Sequence, residues 1–540
     1  MQTTMRAGNR GAWFAGSLLL ALAACGGDGE VQAAENAKPA GDQSPEVVRA
    51  ESSGSDKANA EDGDGGAEAS ETSEAPAAAE VEATPPPPAQ PPALGRATTR
   101  DVGDLDRVLE ERRLRVLVPY ARPFFFVEDG QPKGITFELF REFGTWLEEQ
   151  NDLRRGDLSI ICIPCPLDAV VPWLNEGYGD VAAGALTITP ERSAEVAFTA
   201  PLVKDVDEVL LASQDAPPVA SLSDLAGREV WVADGSSYAE HLAARSEELV
   251  AKGLEPIRIM RARPTLTTTA LIEMVHAGIL DYIVCDAYLA ELWAQELDGL
   301  RLHLDVKVHT GGELAWAMRK DNTQLHAALN EFAKTAKKGS LLGNILIKRY
   351  FGSTKWIHNP IDEEHRARID RYAGWIQELS EEYDFDWLRV AAQCFQESRL
   401  DPDAVSRSGA LGLMQLLPST AKDMGCEDPT DPKQNLRAGI KYLDWLRTNF
   451  FDEPELEEEE RMNFILAAYN AGPGNVRRWR KEAPEHGLDP NRWRHNVERL
   501  ALEHVGVQPV RYVDNIEAYY VAYTLAIELR DAESEAEAPR

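Results

Sequence analysis

One acidic residue stands where the helical rhythm of its segment turns inward. In WLRVAAQCFQESR, Val390, Cys394 and Glu397 fall at i, i+4 and i+7, one face of a 3.6-period helix. A carboxyl on such a face is withdrawn from water, which disfavours its charged form and raises its pKa. A carboxylic acid that keeps its proton near neutral pH is what general-acid chemistry needs. The same spacing also fits a glutamate at a helix end that points to solvent, so two readings stand at this point. The other chemically distinctive residues are cysteines. Cys25 follows a short apolar run, and Cys162, Cys165, Cys285, Cys394 and Cys426 follow later. Cys162 and Cys165 have the spacing of a redox or zinc half-site, but no second such pair and no nearby histidine pair supports one. Buried small residues or one local disulfide is the expectation, with no metal site and no cofactor.

The chain that must position these groups has 540 residues, too many for one ordinary core, and 44% apolar content. Its net charge of -34 excludes nucleic acid as a natural partner, since nothing basic would neutralise phosphates. Residues 1–25 read as an export signal. Arg6 and Arg10 precede the apolar AWFAGSLLLALAA, which is too short to span a bilayer. The signal ends in Leu22-Ala23-Ala24-Cys25, which resembles a bacterial lipobox and implies acylation of Cys25. Gly26 in the next position points to the outer membrane, with the protein facing the periplasm. Residues 26–103 are rich in Ala, Glu, Asp, Ser, Gly and Pro without apolar periodicity, and read as a disordered acidic linker. Such a tether would span on the order of 50 Å.

From 104 to 355 strand-like and helix-like runs alternate, which predicts an α/β domain with parallel strands. GDVAAGALTITPERSAEVAFTAP, SLSDLAGREVWVADGSSYAEHL, AGILDYIVCDAYLAE and AWAMRKDNTQLHAALNEF resemble the family-3 periplasmic solute-binding proteins over most of Leu114 to Phe351. That resemblance implies two lobes closing on a small peptide or amino acid. Arg192 would pair with the ligand carboxylate, for which a guanidinium fork is suited. Thr187, Gly235, Ser236 and Ser237 would add hydrogen bonds, and Asp286 would meet an ammonium. The alternatives are a salt bridge between lobes for Arg192 and a helix N-cap for Asp286. The stretch LRVLVPYARPFFF lacks the Asp usual in that family before its Pro-Phe, which makes a free amino acid less secure as the ligand.

From 356 to 530 every periodic segment is helical, and residues 531–540 read as an acidic tail. The run EPELEEEE is expected to be a solvated loop. The ES of Glu397-Ser398, then SGALGLMQLLPSTA, AYNAGPGNV and RYVDNIEAYY together resemble the soluble lytic transglycosylase domain, a lysozyme-like fold, over roughly Tyr383 to Ala526. The resemblance makes Glu397 a single catalytic acid/base on peptidoglycan glycan strands. It gives a product with a 1,6-anhydro ring and no need for the second carboxylate most glycosidases carry. Ser398, Ser406, Met414, Gln415, Tyr469, Asn470 and Tyr519 become glycan contacts, although Ser406 also fits a turn cap and Tyr519 a core tyrosine. Gln508 stands where the family often has Glu, which removes one secondary acidic contact. The rival readings are a binding lipoprotein of an importer with an inert helical domain, a muramidase that uses water, and a non-enzymatic wall anchor.

Overall fold

The computed structural model describes residues 97–128, 131–352 and 363–537. The export signal, Cys25 and most of the linker lie outside the described residues. Eleven strands follow in order: β1 Arg113–Pro119, β2 Phe126–Glu128, β3 Gln131–Lys133, β4 Ser159–Cys165, β5 Val181–Thr187, β6 Ala197–Phe198, β7 Val203–Ala212, β8 Glu229–Val232, β9 Arg258–Arg261, β10 Tyr282–Asp286 and β11 Arg301–Met318. Nine of them form one sheet in the order β4-β1-β5-β11-β7-β10-β8-β9, with β6 on β11. Pairings of β1 with β4 and β5, and of β8 with β9 and β10, are parallel. Of these, β1, β5 and β10 lie inside the sheet and are buried along most of their length, which is why LRVLVP reads as a continuous apolar run rather than an alternation.

The two longest strands of this sheet carry the chain between two lobes. The 18-residue β11 pairs with β5 near Leu314 and with β7 from Arg301 onward, and its register slips between His303 and Leu314. On one side of that crossing lies a core of Phe140, Phe143, Trp316 and Leu325. On the other lie Leu211, Ile272 and Ile283, and Leu242 with Val230 across the sheet. This is the α/β fold that the alternation predicted, with the two lobes that the family resemblance implied.

The helical part is built on Glu363–Glu382, Trp387–Ser398, Pro432–Phe450, Glu458–Ala471, Pro473–Glu482 and Val507–Glu537. Its core of Leu443, Phe464, Trp479, Trp493 and Ile516 runs on without a break into Trp173 and Tyr178 of the first lobe. Arg499 seals that seam: its guanidinium lies 3.3 Å from the Tyr178 ring centroid and donates through Nε to the Ala97 carbonyl. The second lobe is held by Arg263, paired with Glu517, which also takes Arg389 at 3.1 Å. Among the described residues no helix is long and apolar enough to cross a membrane.

Three expectations are corrected here. Residues 97–103, assigned by composition to the linker, are folded, because Ala97 and Thr98 are buried against the helical part. Helix continues to Glu537 through the stretch read as a tail, in keeping with its Ala- and Glu-rich composition. Glu458, Glu459 and Glu460 form the first turn of a helix rather than a loop, the end of a helix where negative charge is favoured. The five described cysteines are free, and four of them are buried.

Candidate active site and ligand cleft

Asp386 starts the Glu397 helix by accepting from the Leu388 amide, and Arg399 and Leu400, both in the left-handed region, end it. Val390 and Cys394 are fully buried on the inward face. Glu397 therefore comes up in the last turn, at the edge of the core, where the helix dipole also disfavours a negative charge. Burial pushes its carboxyl up to about 8, and a hydrogen bond from Tyr512 opposes the shift. The Tyr512 hydroxyl donates to Glu397 Oε1 at 2.5 Å and accepts from Gln393 Nε2 at 3.1 Å. Gln393, one turn before Glu397, is itself fully buried. With Oε1 accepting, the proton of the neutral acid belongs on Oε2. The next residue on the partner helix, one turn on, repeats the contact: Asn515 Nδ2 donates to Gln396 Oε1 at 3.0 Å.

A loop packs against the end of this helix, next to Glu397. Gly409 and Gly412 have positive φ, and short bridges tie Val405 to Leu411 and Leu411 to Leu416. Its anchor is Asn435, fully buried, whose Oδ1 accepts from Met414 N and whose Nδ2 donates to the Leu411 and Pro429 carbonyls, each at 2.9 Å. Gly412 must be glycine, because a Cβ would stand 2.5 Å from that Nδ2. Met414 does not line a cleft: its side chain is fully buried beside Gly439, and its backbone takes part instead, the amide through Asn435 and the carbonyl by accepting from Tyr469 Oη at 2.8 Å. Ser398 is buried and donates to the Leu413 carbonyl, so it braces the loop from below. Ser406 Oγ accepts from Ala410 N and pairs with Ser408 Oγ, the turn-capping arrangement. Gln415 spends its amide nitrogen on the Ala404 and Gly412 carbonyls. Tyr519 stacks edge-on against Phe395 at 4.8 Å and is half-buried, as are Tyr469 and Asn470.

The second site is a cavity of about 140 Å³ between the lobes. Thr187, Arg192, Ser236, Ser237 and Asp286 line it, and so do Val510, Arg511 and Asp514 of the C-terminal helix. Arg192 donates to the Thr187 carbonyl at 2.8 Å and across the cleft to the Gly235 carbonyl at 2.7 Å. Ser237 Oγ lies 3.2 Å from Thr187 Oγ1 and 2.7 Å from the buried Glu208. Gly235 lets the second lobe approach closely, since a Cβ there would meet the Asp168 backbone at 2.6 Å. Ser236 bonds only its own turn, at the Ala233 carbonyl. Asp286 holds the N-cap position of a helix but makes no capping bond, and burial pushes its carboxyl up to about 7. The Tyr288 and Tyr238 hydroxyls beside it oppose that shift, and the Asp286 carboxyl and the Tyr288 hydroxyl are buried at the cavity wall. Among the described residues no group of three His, Cys, Asp or Glu has the geometry to hold a metal.

Two family models match this chain: bacterial extracellular solute-binding proteins, family 3, over residues 114–353, and the transglycosylase SLT domain over residues 374–490. Among curated proteins, membrane-bound lytic murein transglycosylase F of Maricaulis maris is 32% identical over 81% of this chain and 93% of its own length. Membrane-bound lytic murein transglycosylase F 1 of Alkalilimnicola ehrlichii is 30% identical over 77% of this chain and 84% of its own. The chain belongs to the membrane-bound lytic murein transglycosylase F family. Solved structures similar to its first part include an ancestral arginine-binding protein bound to arginine, at TM-score 0.37 and 21% identity, covering 44% of this chain and 98% of that one. Another is a mutant ArgBP from T. maritima, at TM-score 0.38 and 22% identity, covering 46% and 99%. Two residues around Glu397 carry little sign of their role in the sequence. Asn435 lies within the SLT match but has no chemistry to advertise it. Tyr512 lies beyond residue 490, where the match ends, and the only signal for it is the RYVD motif in which it sits.

Proposed function

We propose that Glu397 is the single acid/base of a lytic transglycosylase and that the two-lobed domain regulates it. Membership of the transglycosylase F family makes the chain a membrane-associated enzyme that cleaves peptidoglycan. The observation that carries the finer reading is Glu397 itself. It is a carboxyl pushed up to about 8, with one oxygen fixed by Tyr512 and no second carboxylate among the groups that perturb it. In this reading Glu397 Oε2 gives its proton to the glycosidic oxygen between N-acetylmuramic acid and N-acetylglucosamine as the C1–O bond breaks. The substrate's acetamido oxygen stabilises the positive C1. The Glu397 carboxylate then takes the proton from O6, and O6 closes on C1 to give the 1,6-anhydro ring. Glu397 ends protonated and no water is consumed. Tyr469, Asn470 and Tyr519 offer rings and polar tips for the sugars, and Ser398, Ser406 and Gln415 shape the loop that faces them.

Glu397→Gln keeps the shape but has no proton to give. Muropeptide release is expected to fall by about 10²–10⁴-fold with folding intact, and activity within a few-fold of wild type would remove Glu397 from the mechanism.

The regulatory reading rests on one helix. Val507–Glu537 presents Val510, Arg511 and Asp514 to the inter-lobe cavity and Tyr512 to Glu397. A ligand with a carboxylate and an ammonium, such as an amino acid or a wall peptide, fits Arg192 and Asp286, which line the same cavity. Residues 1–25 and Cys25 support a lipid anchor, and Gly26 an outer-membrane destination, with the enzyme facing the periplasm. Cys25→Ser is expected to leave the outer-membrane fraction, and its retention there would refute the anchor.

A further inference from the structure

The surface of this acidic chain has one face of a different character, far from either site in function. The helix Leu341–Phe351 is capped by Ser340, whose hydroxyl accepts from Gly343 N. It buries Gly343, Leu346 and Tyr350 against the first lobe. Its outer face carries Leu341, 80% exposed, and Ile345, 46% exposed, one helical turn apart. Two aliphatic side chains of this size, aligned and left in water, lose the stabilisation that burial would give them. Exposed Lys337 and Lys338 precede the helix, and exposed Lys348 follows Ile345 on the same face. Neighbouring Lys334 and Arg349 are paired with Glu331 and Glu138. The ammonium groups of Lys337, Lys338 and Lys348 have no ion pair among the described residues, although the chain as a whole carries a net charge of -34.

We propose that this face docks on an anionic phospholipid surface, with Leu341 and Ile345 entering the headgroup–acyl boundary and Lys337, Lys338 and Lys348 meeting lipid phosphates. Amphipathic helices with apolar residues between lysines bind in the plane of such an interface, and each lysine near anionic lipid adds to the attraction. The alternatives fit less well. Peptidoglycan carboxylates would satisfy the lysines but give nothing to two aliphatic chains. A second copy of the chain would set the same lysines against one another. The surface belongs to the first lobe and does not depend on the chemistry at Glu397.

The test uses the full chain carrying Cys426→Ser and Ile345→Cys, labelled at residue 345 with an environment-sensitive fluorophore, with the Cys426→Ser chain alone as the labelling control. It is mixed with brominated vesicles of pure phosphatidylcholine, or of equal parts phosphatidylcholine and phosphatidylglycerol, so that attachment through the N-terminus alone gives no signal at residue 345. Blue-shifted emission and bromine quenching are expected on the anionic vesicles only, with loss in high salt. Both signals are expected to be lost in a Lys337→Glu, Lys338→Glu, Lys348→Glu variant. Leu341→Asp, at a position too exposed to disturb packing, is expected to weaken them as well. Equal quenching on both vesicle types, or no quenching on either, overturns the proposal. A shift produced by purified sacculi and not by vesicles overturns it in favour of the cell wall.

Discussion

Glu397 can act as an acid because of the few groups around it. Burial and the C-terminal end of its helix favour the neutral form, while the Tyr512 hydroxyl stabilises the ionised one and aims Oε2 away from the bond. Activity needs the proton in place, so kcat/KM is expected to hold on the acid side and to fall as pH rises through about 8. In Tyr512→Phe the bond that lowers the pKa is gone, and the falling limb is expected to move to higher pH while kcat drops because the carboxyl is no longer held. A limb that stays put, with the same kcat, would remove Tyr512 from the site. The linkage to stability has a definite sign. A folded-state pKa raised above the unfolded value of about 4.5 means stability is complete below that pH and is lost as pH rises through about 8. Glu397→Gln is therefore expected to melt higher than wild type at pH 8, and the gap is expected to close near pH 4. Thermal scans at the two pH values check this.

The elements around Glu397 were partly legible in the sequence. The i, i+4, i+7 spacing located the helix and its buried face, because periodicity reports which way side chains turn. It could not report that Met414 is buried while its neighbour's turn faces the site, since loop residues have no period. It also could not reach Tyr512, which meets Glu397 from 115 positions away. The α/β alternation revealed the class of the first domain and the family resemblance its lobes, yet Ala97 and Thr98 are anchored by Arg499 and Glu503, some 400 positions later in the chain. Asn435 illustrates the same limit: its two backbone-directed contacts to the loop are made by side-chain atoms that no motif announces. Asn435→Ala would leave the Met414 amide and two carbonyls without partners in a buried setting. A loss of about 2–4 kcal/mol and a larger fractional loss of activity are expected, since unmet buried groups cost about 1–3 kcal/mol each. Denaturant unfolding measures the first, and a midpoint unchanged from wild type would show that the loop stands without this anchor.

At the scale of the whole molecule, one helix joins two sites. The inter-lobe cavity and the Glu397 carboxyl share the first turns of Val507–Glu537, so a ligand that displaced Arg511 and Asp514 would displace Tyr512 on the same helix. The second lobe reaches the enzyme directly as well: burial pushes Glu273 up to about 8, and Arg399, two residues from Glu397, is the first of the charges that oppose the shift. A tenfold effect on rate needs only about 1.4 kcal/mol of difference in ligand affinity between two arrangements. Arg192→Ala removes both the proposed carboxylate partner and the bond to the Gly235 carbonyl across the cleft. Turnover of purified peptidoglycan by this variant is expected to be indifferent to added wall peptides, whereas wild-type turnover changes with them. Equal wild-type rates over a range in which calorimetry detects peptide binding would contradict regulation.

Glu397 is proposed to close a ring on the substrate without water. Peptidoglycan is digested by wild type in ¹⁸O-labelled water and the released muropeptides are weighed by mass spectrometry, with Glu397→Gln as the control. Wild type is expected to give 1,6-anhydro ends with no ¹⁸O, and the variant to release nothing. Reducing ends that carry one ¹⁸O would make the enzyme a hydrolase and contradict the ring closure.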